Sequence, residues 1–156
     1  AVLENMDKTI RDADNVVCPN ITAPSSTNLV VLKNGVYTRY RFVPPTSTTN
    51  GSIQQDSPDK TKAGLVDLAT GKEYTDPAFI NKVCSDLDPM ESPITLTDTN
   101  TKTGISVESG LFSHNPAAGF RDQVTVSFNL KPGVEAPQSI TGQIDPVTFQ
   151  TSIQLR

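Results

Sequence analysis

Tryptophan is absent from this chain, and histidine and cysteine nearly so: one histidine and two cysteines stand in 156 residues. Aromatics are only 6% of the chain, which excludes a platform on which successive bases would stack. Basic clusters are missing as well. Thirteen Lys and Arg are scattered against seventeen Asp and Glu, for a net charge of −4, and the densest basic grouping is Lys60 with Lys62 in a polar stretch. That balance, with an isoelectric point near 4.9, argues against a nucleic-acid surface. No run of about 18 apolar residues occurs, so these residues contain no membrane-spanning helix. A single histidine and two distant cysteines, Cys18 and Cys84, make no zinc set. Glycine-rich phosphate loops, Gly-x-Ser-x-Gly elbows and carboxylate pairs on a shared face are lacking too. No enzyme activity and no cofactor are expected.

What is present begins at once. Leu3, Met6, Ile10, Ala13 and Val17 recur at spacings of three and four, one stripe of an amphipathic helix over residues 1–17. The opposite face carries Glu4, Asp7, Lys8, Arg11 and Asp12. Glu4 with Lys8 and Asp7 with Arg11 stand at i,i+4 with the acid first, the better orientation. The pattern is already running at Ala1 without an N-cap, which suggests the lower part of a longer helix. Pro19 ends it, because proline disfavours helix in the residue before it.

A chain of this length is expected to fold as one domain, burying roughly 70% of the surface its unfolded form exposes. Asn28 to Lys33 reads as a strand, Asn34-Gly35 as a hairpin turn, and Val36 to Val43 as the returning strand. Pro44 to Lys62 is polar, punctuated by Pro-Pro, Asn-Gly and Ser-Pro, and reads as a mobile loop with Ile53 its one large aliphatic. A small hairpin is predicted around Thr70-Gly71. Asp76-Pro77 opens a short second helix with Phe79, Ile80, Val83 and Leu87 as its apolar face. From Ser92 onward the pattern is strand. Ile94 and Leu96 alternate with threonines, as do Ile105, Val107 and Leu111 with polar residues. Val124, Val126, Phe128 and Leu130 alternate strictly, and Phe149, Thr151, Ile153 and Leu155 close the chain likewise. Strict alternation means one buried and one wet face, hence an antiparallel sheet. The expected fold class is therefore α+β. An N-terminal helix (1–17) packs on an antiparallel sheet (92–156), with a hairpin, a long loop and a short helix between (18–91).

Two readings of Cys18 and Cys84 stay open, a disulfide or two thiols. The even count and the Thr-, Ser-, Asn- and Pro-rich composition of an exported protein favour the disulfide. His114, in Ser113-His114-Asn115-Pro116, reads as a solvated loop residue. Asp98 and Asn100, in Asp98-Thr-Asn100-Thr-Lys102-Thr-Gly104, form a weak calcium-loop pattern that breaks at Lys102, and a turn explains the same residues. Asp86 and Asp88 read as solvated carboxylates at a helix end. Asn20-Ile-Thr22 and Asn50-Gly-Ser52 are glycosylation triplets of a kind that arises often by chance.

The order of parts carries a resemblance. Arg11-Asp12-Ala13-Asp14-Asn15-Val16-Val17, Val36-Tyr-Thr-Arg-Tyr-Arg-Phe42, Pro93-Ile-Thr-Leu-Thr-Asp98 running into Gly104-Ile-Ser-Val107, Gln123-Val-Thr-Val-Ser-Phe128 and Phe149-Gln-Thr-Ser-Ile-Gln-Leu-Arg156 together span the chain. They resemble the soluble part of type IV pilin-like proteins, in particular a minor pilin or a minor pseudopilin of type II secretion. That family's leader, and the apolar helix with its early glutamate, are not among these residues. Glu4 is not that glutamate, since it lies on a polar face, and Pro44 to Leu87 match nothing in the family. The resemblance implies a non-catalytic filament subunit at the cell surface or in the periplasm, with other pilin or pseudopilin subunits as partners. A preceding helix half would anchor it in the membrane before assembly. Minor members prime assembly or sit at the filament tip, in pilus, secretion or DNA-uptake systems. On that reading Leu3, Met6, Ile10, Ala13 and Val17 hold helix to sheet, and Glu4, Asp7, Lys8 and Arg11 meet neighbouring subunits. The alternative is a surface adhesin or sortase-type pilus β-sandwich that binds an extracellular ligand.

Overall fold

The structure, a computed structural model, describes residues 2–19, 25–58, 81–116, 119–137 and 145–156. Among the described residues, a helix, α1 (Val2–Arg11), is followed by nine strands. They are β1 (Asn15–Cys18), β2 (Ser25–Ser26), β3 (Asn28–Lys33), β4 (Val36–Val43), β5 (Ser52–Asp56), β6 (Ile94–Thr95), β7 (Ile105–Asn115), β8 (Gln123–Pro132) and β9 (Val147–Gln154). They form two antiparallel sheets, ordered β1-β3-β4-β5-β6 and β2-β7-β8-β9. Strand accounts for 47% and helix for 10% of the described residues. The expectation of an α+β pilin-like fold is therefore wrong: this is a β-sandwich-like fold with a short helix at its start.

The core lies between the sheets. Leu29, Val31, Tyr40 and Ile53 face Phe112, Val124, Val126, Phe128 and Ile153 across it. The Phe112 and Phe128 rings meet edge to face at 6.3 Å, the geometry their quadrupoles prefer. Met6, Ile10 and Ala13 enter the same core from the N-terminal segment. Burying a side chain such as Ile10 contributes about 1.5–3 kcal/mol.

α1 is shorter than its stripe predicts. It stops at Arg11 because Asp12-Ala13-Asp14-Asn15 favours turns over helix, and the next residues have a better partner. Val16 and Val17 are β-branched and sit in β1, paired with β3. Val17 thus leaves the helical stripe and packs in a second cluster on the far side of the first sheet. Leu3 stays 36% exposed. The helix end is held from outside: the Arg156 amide donates to the Arg11 carbonyl at 2.9 Å, and the Arg121 guanidinium to the Asp14 carbonyl at 2.7 Å.

The predicted hairpin is present, with Asn34 and Gly35 at φ 50° and 77°, as a type I′ turn requires. The predicted loop from Pro44 to Lys62 contains a strand, β5, paired with β4. Ile53 is its inward residue and is fully buried. The Thr70-Gly71 hairpin and most of the second helix, with Phe79 and Ile80, lie outside the described residues. Residues 81–83 are helical and Val83 is buried, but Leu87 is 92% exposed and belongs to no apolar face.

A bulge in β7 corrects one more expectation. The β7–β8 register shifts between Val107 and Ser109, and a one-residue slip reverses which face each later residue meets. Leu111, predicted in phase with Val107, therefore points out at 44% exposure, while Phe112 and His114 turn inward. Gly110 lies where the sheets approach closely: a Cβ there would stand 3.0 Å from that of Phe42.

Candidate functional site

Three places concentrate polar or exposed apolar groups. The first is the far face of the first sheet. In the β3–β4–β5 register, Asn28 stands opposite Arg41 and Val30 opposite Arg39, while Arg39 and Asp56 face each other. Arg39 is fully buried. It donates twice to Asp56, from Nε at 2.8 Å and from Nη2 at 2.6 Å, the bidentate fork arginine favours with a carboxylate. Its Nη1 also reaches Asp88 at 2.6 Å. Burial opposes the Arg39 charge, but its hydrogen bonds to Asp56 and Asp88 outweigh that and hold it above its ordinary value. Arg41 is pulled the other way, by burial first and by the Arg39 charge second. Asp88, expected to be solvated, is 15% exposed and ion-paired. Asp86 is more open, yet accepts from Thr27 and from Asn28. Cys18 and Cys84 are joined in a disulfide at this face, 66 residues apart.

The second place is His114. Its burial corrects the solvated-loop reading. Nδ1 lies 2.8 Å from the Pro19 carbonyl and Nε2 2.6 Å from Asp122. A general base needs one ring nitrogen open toward a substrate or nucleophile. Here both are engaged, so the imidazole staples β7 to the turn after β1 and to the segment before β8.

The third is the end of the sandwich beside the start of α1. A cleft of about 280 Å³ is lined by Leu3, Leu96, Ile105, Leu130 and Phe149. A second, of about 320 Å³, shares Ile105 and Leu130 and adds Pro132, Ala136 and Val147. Ile105 and Val147 are 52% and 58% exposed here. The two clefts form one apolar seam, rimmed by Asp98, Lys102, Lys131 and Asp145. Exposed contiguous apolar surface with a polar rim marks interaction sites.

No protein-family model, curated protein or solved structure matches this chain.

The structure separates the predicted site residues. Met6 and Ile10 hold α1 to the core, Ala13 enters it from just past the helix end, Leu3 opens on the seam, and Val17 works from β1. On the outer face Glu4 and Lys8 are exposed, and Asp7 pairs with Arg11 at 2.6 Å. The Arg11 hydrogen bond holds the Asp7 carboxyl below its ordinary value. A depressed carboxyl stabilises the fold above its unfolded-state value and loses that contribution as pH falls through the folded one. NMR titration should place the Asp7 midpoint below 3.8 and Arg11→Gln should raise it; equal midpoints in the two proteins would refute the pairing. Asp98 and Asn100 behave as turn residues. Asp98 accepts from the Asn100 amide at 2.9 Å, and Asn100 Oδ1 from the Lys102 and Thr103 amides at 3.0 Å each. Among the described residues no group of three His, Cys, Asp or Glu is placed to hold a metal. Asn50 is 9% exposed. Its Nδ2 donates to the Asn100 carbonyl and its Oδ1 accepts from the Val134 amide, so it ties three loops together. Asn20 lies outside the described residues.

Sequence reasoning missed Arg39, Arg41 and Asp56. A signal existed. Leu29-Val-Val-Leu32 is apolar on both faces, which means that both faces of β3 are covered, so the residues opposite it on β4 lie under a second layer.

Proposed function

We propose that this chain is the globular part of a non-catalytic filament subunit acting at the cell surface or in the periplasm, built on a sandwich rather than on a pilin fold. One observation carries the reading. α1 is rooted in the core by Met6 and Ile10, while its first turn opens at Leu3 onto an apolar seam that includes exposed Ile105 and Val147. A helix fixed at one end and edged by unpartnered apolar surface suits a subunit that packs against copies or relatives of itself. The charged face of α1 and the disulfide, at home in an oxidising compartment, support it.

The coding sequence before Ala1 tests this directly. A basic leader followed by an apolar stretch of about 20 residues continuing α1 is expected; an unrelated domain there would overturn the proposal. A protein-level test uses Ile105→Asp with Val147→Asp in the full-length subunit. Both sites are half exposed, so Tm should move by only about 2 °C, while incorporation into filaments is lost. Unchanged incorporation would refute the seam as the contact.

The two antiparallel sheets favour a second reading, a sandwich domain that binds an extracellular ligand. The outer face of the second sheet presents Ser109, Ser113, Thr125, Ser127, Gln150 and Ser152 in register. Ligand binding that survives the seam substitutions would select this reading.

A further inference from the structure

The segment from Val83 to Glu91 lies on the far face of the first sheet, with its apolar contact concentrated at Val83 and Cys84. Val83 is buried and Cys84 partly so, but Leu87 is almost wholly exposed. Its main-chain carbonyls are instead read one after another. Arg39 donates to the Val83 and Pro89 carbonyls at 3.1 and 3.3 Å. Arg41 donates to the Ser85 and Asp88 carbonyls at 2.8 and 2.7 Å. Asn28 donates to the Cys84 carbonyl at 3.1 Å, and Asp56 accepts from the Glu91 amide at 2.9 Å. Five carbonyls of this segment are thus held by three side chains of β3 and β4, two of them guanidiniums whose rigid forks suit such multiple contacts.

We propose that residues 83–91 are a strap docked by Arg39, Arg41 and Asn28, and that Cys18–Cys84 is a reversible bolt fastened onto a strap already in place. Cys18 is 2% exposed whereas Cys84 is partly open, so exchange enters at Cys84. In closing, the Cys84 thiolate attacks a small-molecule disulfide such as oxidised glutathione, forming a mixed disulfide and releasing one thiol. The Cys18 thiolate then attacks the Cys84 sulfur and releases the second. Two protein thiols are oxidised and one external disulfide is reduced to two thiols, the two protons shed by the protein thiols being taken up by the two released thiolates. Opening reverses these steps and leaves the strap docked.

The test uses the whole chain as Cys18→Ser/Cys84→Ser, with amide hydrogen exchange read at Glu91. The amide should stay protected without the bolt. Adding Arg41→Lys, which keeps the charge but loses the fork, should lower that protection about tenfold through the loss of a partner for the part-buried Ser85 and Asp88 carbonyls. Exchange at the unprotected rate in the serine variant, or collapse of its whole fold, would overturn the proposal, because the bolt would then be what places the strap. Protection indifferent to Arg41→Lys would overturn it equally. In the reduced native protein, alkylation should mark Cys84 several-fold faster than Cys18; equal rates would refute entry at Cys84.

Discussion

Replacing Arg39 with methionine should destabilise the fold by about 3–5 kcal/mol, the range for breaking a buried ion pair from one side. Asp56 is fully buried and Asp88 is 15% exposed. Without the guanidinium, Asp56 keeps the Glu91 amide as a donor but loses the bidentate partner that offsets its burial. Single domains are stable by about 5–15 kcal/mol, so the variant remains folded only if the protein stands in the upper part of that range. The denaturation midpoint should fall sharply with little change in slope. Arg39→Met/Asp56→Leu separates pair from charge: with no carboxylate left facing an empty partner, the double variant should recover much of the loss. A loss under about 1 kcal/mol in the single variant would mean that Asp56 finds water there, and would contradict its burial.

The elements legible from sequence are those whose pattern is local. The Asn34-Gly35 turn demands two positive φ values that few residue pairs accept, so hairpin and register follow. The alternation of Val124, Val126 and Phe128 survives intact because β8 is flanked by strands on both sides and pairs without a bulge along those residues. The stripe holds as helix through Ile10; Ala13 still reaches the core from beyond the helix end, and Val17 leaves the stripe because strand pairing outcompetes one more helical turn.

What escaped is non-local. β5 has a single aliphatic residue, and its remaining side chains are decided by partners distant in sequence. Asp56 is buried on the far face of the sheet because Arg39 is there. The β7 bulge adds one residue without changing composition, so His114 moved from a wet loop to a buried staple with no warning in its own neighbourhood. The division into two sheets likewise depends on which strand each edge meets. The same limit applies to the seam. Ile105 is legible as a strand residue, yet its exposure, and that of Val147 at the unread start of β9, depends on what covers the sheet ends.

Removing the disulfide should be comparably costly, for a different reason. The two cysteines lie 66 residues apart, and closing a loop of that size in the unfolded chain is worth about 4 kcal/mol on the chain-entropy model. The Cys18→Ser/Cys84→Ser variant should lose that amount while the strap keeps its hydrogen bonds, because the effect falls on the unfolded ensemble. Two measurements identify that origin. The denaturant slope should rise, since an unlinked chain exposes more surface on unfolding. Combination with Arg39→Met should fall short of additivity. With the strap unbolted, a native state lacking Arg39 can lift the strap and let water reach Asp56, which relieves part of the cost that the bolted variant must bear. Contacts sharing one segment couple in this way. A triple variant whose loss equals the sum would show that bolt and clamp act on separate parts of the fold.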